Sequence, residues 1–283
     1  MKLFAFNNVR LSIPEGWDLT RFDGNRRRGD FVLDDGDTPR LDVKWGPLGR
    51  GDVNELERKV LIKARDRTID KRQDVDDTLR LYRVDESLGR VAYALAAQNR
   101  LDRFVVVRLF EPTARWRQAL QGMIEPLIAT DPDEDEPWRF FATAFTLPTG
   151  FVLTDCEMRV GCIRLEFRRR GRMLAIWDVS LLDHVESTGD TADYARTLVN
   201  ETYVKRYAFR ADRREAGDDP AGFRLPGRFR RRWLLKPGEG WTPNRRALLA
   251  GVANRDKNRF SVLLLRHRRE EETRWLEAVA RSI

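Results

Sequence analysis

Ile13-Pro14-Glu15-Gly16-Trp17-Asp18-Leu19-Thr20 returns later in the chain as Leu147-Pro148-Thr149-Gly150-Phe151-Val152-Leu153-Thr154. The two octads share an apolar lead, Pro and Gly, an aromatic, and a closing Leu-Thr. Pro presets one turn dihedral and Gly opens conformations closed to other residues, so each octad reads as a turn following a strand. A second block aligns without a gap, 29–45 against 161–177, and matches Gly29 with Gly161, Leu33 with Leu165, Arg40 with Arg172, and Trp45 with Trp177. A third sets Asn99-Arg100, Arg103-Phe104 and Val106 against Asn254-Arg255, Arg259-Phe260 and Val262, with one residue inserted. Three collinear matches predict a tandem duplication.

The predicted boundaries are a first repeat over 1–130, an exposed acidic linker over 131–138 (Asp131-Pro132-Asp133-Glu134-Asp135-Glu136-Pro137), and a second repeat over 139–283. At 283 residues with 41% hydrophobic and 10% aromatic content, each repeat has enough apolar side chains for its own core.

Periodicity predicts the elements of one repeat. Val9–Ile13 alternates as a strand, and segments 30–34 and 40–45 form a strand pair around Asp35-Gly36. Asp52 caps a helix carrying Val53, Leu56, Val60, Leu61 and Ala64 on one face. Strands follow at 78–84, 90–98 and 103–110, then a closing helix with Trp116, Leu120, Met123 and Leu127. The second copy places these at 162–167, 172–179, a helix capped by Asp190, strands at 229–235, 245–253 and 259–265, and a helix bearing Trp275, Leu276 and Val279. Hairpin-length connections predict an α+β fold: two tandem copies of a mainly antiparallel sheet with helices packed on it.

The repeated Ile13-Pro14-Glu15-Gly16-Trp17 and Leu147-Pro148-Thr149-Gly150-Phe151, followed by a strand pair, a middle helix, strands and a closing helix, resemble the PsbP-like fold. Its members include the extrinsic oxygen-evolving subunit of photosystem II, a Ran-binding nuclear import factor, and chaperones associated with type VI secretion effectors. The resemblance implies a central antiparallel sheet and binding without chemistry. The motif is structural and transfers no catalytic residue.

Residue counts narrow the chemistry. Two His, two Cys and six Ser supply few catalytic or metal constellations. His184 and His267 have no partner at ligand or triad spacing, and Cys156 and Cys162 fit no zinc pattern. The cysteines could pair across a hairpin or serve as small hydrophobes in a reducing cytosol. Gly46-Pro47-Leu48-Gly49-Arg50-Gly51 reads as a strand-to-helix connection rather than a phosphate loop. No catalytic residue, metal ligand or cofactor is predicted. With no secretory signal and no run of about 20 apolar residues, the expected location is cytoplasmic with no membrane span.

Charge is more informative. Lys+Arg number 53 against 45 Asp+Glu, a net +8. The first half, 1–138, carries 24 and 26; the second carries 29 and 19, so the surplus lies in the second copy. It gathers in Arg168-Arg169-Arg170-Gly171-Arg172, around Arg230-Arg231-Arg232, and in Arg266 to Arg269. Arg168, Arg169, Arg170, Arg172, Arg230, Arg231 and Arg232 are the candidate binding residues. The primary expectation is a non-enzymatic interaction module, adaptor or chaperone-like, with a protein or peptide partner. The alternative is nucleic-acid binding, with guanidiniums on phosphates and nearby aromatics on bases. The duplicated halves are expected to pack as an internal pseudo-dimer, leaving a monomer or at most a dimer.

Overall fold

A computed structural model of the 283-residue chain describes residues 1–25, 27–48, 54, 57–58, 68–74, 79–86, 89–98, 102–128, 134–141, 143–203, 207–209, 223–229 and 246–283. The chain divides into two compact units, Met1–Phe141 and Ala142–Ile283. The fold is mostly antiparallel sheet with few helices.

In the first unit, β1 (Lys2–Phe6) and β2 (Val9–Ile13) form a hairpin through Asn7 and Asn8, both at positive φ as a two-residue hairpin turn requires. Strand β10 (Glu136–Phe140) pairs with β1. The main sheet contains β3 (Asp18–Gly24), β4 (Gly29–Asp34), β5 (Pro39–Pro47), β6 (Thr68–Asp74), β7 (Leu79–Glu86), β8 (Gly89–Gln98) and β9 (Arg103–Phe110) in the order β3-β4-β5-β9-β8-β7-β6. Helix α1 (Trp116–Ile128) packs on β2 and β8 with Trp116, Leu120, Met123, Ile124 and Leu127 buried. Gln98 donates from Nε2 to the Leu127 carbonyl at 2.7 Å, which puts α1 over the sheet face that carries Ala92, Ala94 and Ala96. Short alanines let a helix approach closely. Phe31, Val43, Trp45, Val105 and Val107 share that face, and Phe4, Phe6, Trp138 and Phe140 build the aromatic core next to them. The opposite face carries Tyr82, Val84, Val91, Tyr93 and Leu95.

The second unit repeats the topology. After β11 (Thr143–Leu147) come β12 (Val152–Arg159), β13 (Cys162–Arg169), β14 (Arg172–Ser180), β15 (Tyr207–Phe209), β16 (Phe223–Phe229), β17 (Arg246–Asn254) and β18 (Arg259–His267), in the order β12-β13-β14-β18-β17-β16-β15. Helices α2 (Leu182–Thr188) and α3 (Thr191–Thr202) lie on one face, where Leu182, Val185, Ala192, Ala195 and Val199 meet Met173, Ala175, Trp177 and Val179. Asp190 caps α3 as expected, accepting from the Ala192 N–H at 3.0 Å. Helix α4 (Thr273–Ser282) packs on β17 and β18 with Leu276, Val279 and Ala280 buried. Because both faces are covered, every residue from Met173 to Val179 is buried, and β14 loses the polar alternation of a one-sided strand.

Two of the three sequence matches coincide with matching geometry. After the Pro-Gly turn, the register shifts between Leu19 and Arg21 in β3, and between Leu153 and Asp155 in β12. The bulged residues are Thr20 and Thr154. Each hydroxyl donates across the pair, to the Val32 carbonyl at 3.2 Å and the Glu166 carbonyl at 3.1 Å. Phe104 and Phe260, from the third match, sit at corresponding places in β9 and β18. The gap-free second match fails. Trp45 stands opposite Gly29 and Val105, on the face that α1 covers. Trp177 stands opposite Arg164 and Val262, on the α3 face, with its ring 6.0 Å from Tyr203. Asp178, opposite Ile163 and Ser261, occupies the place that corresponds to Trp45. The hairpin turn spans Asp35–Thr38 in one unit and Arg170–Gly171 in the other, and β5 also carries an extra residue, Arg40, between the pairs Leu33–Leu41 and Asp34–Pro39, so the net shift is odd and exchanges the faces.

Other expectations also change. Glu136 begins β10, is buried, and accepts the Asn8 N–H at 2.6 Å, so the C-terminal part of the 131–138 linker is sheet. Residues 139–141 belong to the first unit. The strand expected at 229–235 is found at Phe223–Phe229, and 230–235 lie outside the described residues. The helix expected after Asp52 also lies largely outside them. Strands β1, β3, β6, β10, β11, β12 and β15 are additions to the expected set. Among the described residues, no helix is long and apolar enough to cross a membrane.

Candidate functional site

The β13–β14 turn places Arg170 and Gly171 at φ 43° and 79°, which closes the hairpin in two residues. At the same end of the sheet, β18 leads through Arg268 and Arg269 into a 3-10 turn, Glu270–Glu272, and then α4. Glu272 joins these segments. Its carboxylate, 6% exposed, accepts from Arg172 Nε at 2.9 Å and from the same guanidinium's Nη2. It also accepts from the backbone N–H groups of Arg268 at 2.9 Å and Arg269 at 3.5 Å. Burial pushes this carboxyl up, but the Arg172 guanidinium and the two backbone donors more than reverse that and hold it at about 2. His267 is buried, with Nδ1 2.8 Å from the Arg269 carbonyl, and helps fix the bend.

The candidate arginines divide by what they touch. Arg168 pairs with Glu166 at 2.8 Å and Arg172 with Glu272, so both are spent internally. Arg169 lies 5.0 Å from the centre of the Trp275 ring, and Phe151 meets that indole edge-on at 5.5 Å. These contacts tie Arg168, Arg169 and Arg172 to other side chains of the same unit. Arg170 is exposed, with no carboxylate partner among the described residues. Arg230, Arg231 and Arg232 lie outside the described residues. Arg268, which lies over Gly171, Arg269, and Arg274 in the first turn of α4 are also exposed and without a carboxylate partner among the described residues. Arg246 is nearby but is paired with Glu270 at 3.1 Å. The run Arg266 to Arg269 was visible as charge; Arg274, an isolated arginine in a helix, gave no signal.

Arg170, Arg268, Arg269 and Arg274 therefore form a basic surface whose backbone is fixed by Glu272; Glu271, also exposed there, has no cation on it among the described residues. Guanidiniums on such a surface can bind anions by hydrogen bonds.

Elsewhere the polar clusters are closed. On β12 and β13, Arg164 binds Asp155 at 2.6 Å and Glu157 at 3.2 Å, while Tyr203 donates to Glu166 at 2.8 Å. Burial and the neighbouring Glu166 push the Tyr203 hydroxyl up. Burial pushes the Cys156 thiol up to about 12 and raises Cys162, so neither is a poised nucleophile. The cysteines are not joined. No group of three or more metal-ligating side chains occurs among the described residues.

No known family matches the chain, and no curated protein matches it, so the PsbP-like likeness rests on its motif alone. Among solved structures the chain is similar to the immunity protein TplEi of the T6SS from Pseudomonas aeruginosa, complexed with "L" peptide. Identity is 11%, the match covers 95% of this chain and 97% of that one, and the TM-score is 0.32, a likeness too loose to carry a functional argument.

Proposed function

We propose that the chain is a non-enzymatic protein-interaction module, built from a duplicated PsbP-like domain, that contacts its partner through the arginine-rich end of the second unit. The observation that carries this reading is the gathering of Arg170, Arg268, Arg269 and Arg274 on a turn and helix start whose geometry is held by an internal carboxylate. Rigid presentation lowers the ordering cost of binding. The matching strand orders and the matched Thr20 and Thr154 bulges support the duplication. Two unbridged cysteines suit a reducing, cytoplasmic setting.

Affinity purification of the tagged full chain from its native cells after mild crosslinking tests this. A protein recovered in near-equal amount supports the reading. Recovery of the chain alone, or with nucleic acid only, rejects it. Light scattering should give a monomer or at most a dimer.

A further inference from the structure

We propose that the arginine-rich end recognises an acidic polypeptide segment, a run of Asp and Glu side chains on another protein, and discriminates against nucleic acid. This rests on the interaction reading above and specifies the partner's chemistry. Single-stranded nucleic-acid sites combine cations with an aromatic face on which bases stack. Among the described residues the aromatic at this end is Trp275, whose ring already carries the Arg169 guanidinium and stands at 86° to Phe151 with ring centres 5.5 Å apart. None of the exposed large hydrophobic residues among those described, Met1, Phe141, Val160 and Leu181, belongs to this end. The described part of the surface thus offers guanidiniums without an exposed aromatic face.

The same surface shows what its guanidiniums accept. Arg172 takes Glu272 through two nitrogens, Arg246 takes Glu270, and Arg168 takes Glu166. Arg170, Arg268, Arg269 and Arg274 offer that chemistry with no carboxylate on them among the described residues. Adjacent turns and a helix start can therefore present several planar forks to carboxylates spaced along one chain.

A second copy of this protein is the competing occupant, because the β4–β5 turn carries Asp34, Asp35 and Asp37. That turn is largely self-satisfied. Asp35 accepts from the Thr38 and Asp37 N–H groups and pairs with Arg40 at 2.6 Å, and Asp34 accepts from the Gly36 N–H. Self-association through that turn would leave most of the four guanidiniums unmatched.

The test is fluorescence anisotropy on the full chain with a labelled Asp/Glu peptide of about 16 residues and a labelled oligothymidine of similar charge, at about 30 and about 150 mM salt. The peptide should bind at low salt and weaken at high salt, and the oligothymidine should bind at least about tenfold more weakly. R268S/R269S should cost the peptide about fivefold, and the further replacements R170N and R274S should bring the loss to about thirtyfold. Asn suits the positive φ at position 170. R27S/R28S removes the same charge from an exposed turn of the first unit and should change binding by less than about twofold. Circular dichroism should show every variant folded, since none of the replaced side chains holds a carboxylate among the described residues.

The proposal is overturned by no peptide binding at low salt, by indifference to the four replacements, by tighter binding of oligothymidine, or by concentration-dependent self-association abolished by R268S/R269S. If a native partner is still recovered with the fourfold variant, this assignment fails while the interaction reading stands. If peptide binds as expected but no protein is ever recovered, the broader reading fails instead.

Discussion

Replacing Glu272 by Gln removes the charge that holds three segments together while keeping the shape of the side chain. The folded carboxyl sits at about 2 against an ordinary 4.5. That difference corresponds to at most about 3 kcal/mol. Arg172 is partly exposed, and solvent screening of the pair reduces the expected contribution to about 1–2 kcal/mol. Because the folded value is the lower one, the stabilisation is complete above about pH 5 and disappears as pH falls toward 2. Urea unfolding followed by Trp fluorescence at pH 7 and near pH 2 measures both effects. Two units need not unfold together, so the relevant transition is the one that Gly251→Ala also moves. Glu272→Gln should lower stability at neutral pH by about 1–2 kcal/mol and leave a difference of less than about 0.5 kcal/mol near pH 2. A variant within about 0.3 kcal/mol of the parent at pH 7 would refute the claim that this carboxylate organises the basic surface.

Three further outcomes follow from the packing. Asp178→Ala should cost about 3 kcal/mol by urea unfolding, because it strands Arg259, whose Nε and Nη2 bind that 3% exposed carboxylate at 2.9 and 2.7 Å; Asp178→Leu with Arg259→Met should restore most of the loss. A loss below about 1 kcal/mol would show that the pair is dispensable. Gly251→Ala should lower stability by about 1–3 kcal/mol, since its Cβ would lie 2.4 Å from the Phe223 ring and 2.9 Å from Phe260, and unchanged thermal unfolding would contradict that close approach. Iodoacetamide should modify Cys156 far more slowly in the native protein than in urea at pH 8, with both thiols free after unfolding; rapid native labelling would contradict its burial and high pKa.

What could be read from the sequence was local. Pro, Gly and the following Thr carry their turn and bulge with them, so Ile13–Thr20 and Leu147–Thr154 identify matching places. The apolar faces of α1 and α4 are likewise written in residues three and four apart. The β4–β5 and β13–β14 hairpins were misaligned because their turns differ in length, and sequence matching of Trp45 to Trp177 cannot detect a change of face. Strand β3 escaped notice because its residues are mostly exposed and show no clean alternation. At the binding surface, the density of arginine was legible but its availability was not. Arg172 and Glu272 are 100 residues apart, so only the fold tells a spent guanidinium from a free one.

The two units put opposite charges at corresponding places on one sheet plan. Near the bulge of β3, Arg21 faces Asp30 at 3.5 Å; near that of β12, Asp155 faces Arg164 at 2.6 Å. An exchange of sign within a pair leaves the local charge unchanged. The hairpin tip behaves differently. In the first unit it reads Asp34-Asp35-Gly36-Asp37, and its one nearby cation, Arg40, is held by Asp35 and by Glu111 at 2.7 Å. In the second it reads Arg168-Arg169-Arg170-Gly171-Arg172, joined by Arg268 and Arg269. Here the sign changes: Arg170, Arg268, Arg269 and Arg274 have no carboxylate partner among the described residues, while of the nearby carboxylates Glu272 supports the backbone and Glu270 pairs with Arg246. Paired charges can reverse at little cost, whereas unpaired like charges repel one another and destabilise the fold they decorate. An external anion would offset that repulsion, and this supports placing the proposed binding surface at this end rather than on the internally paired network on β12 and β13.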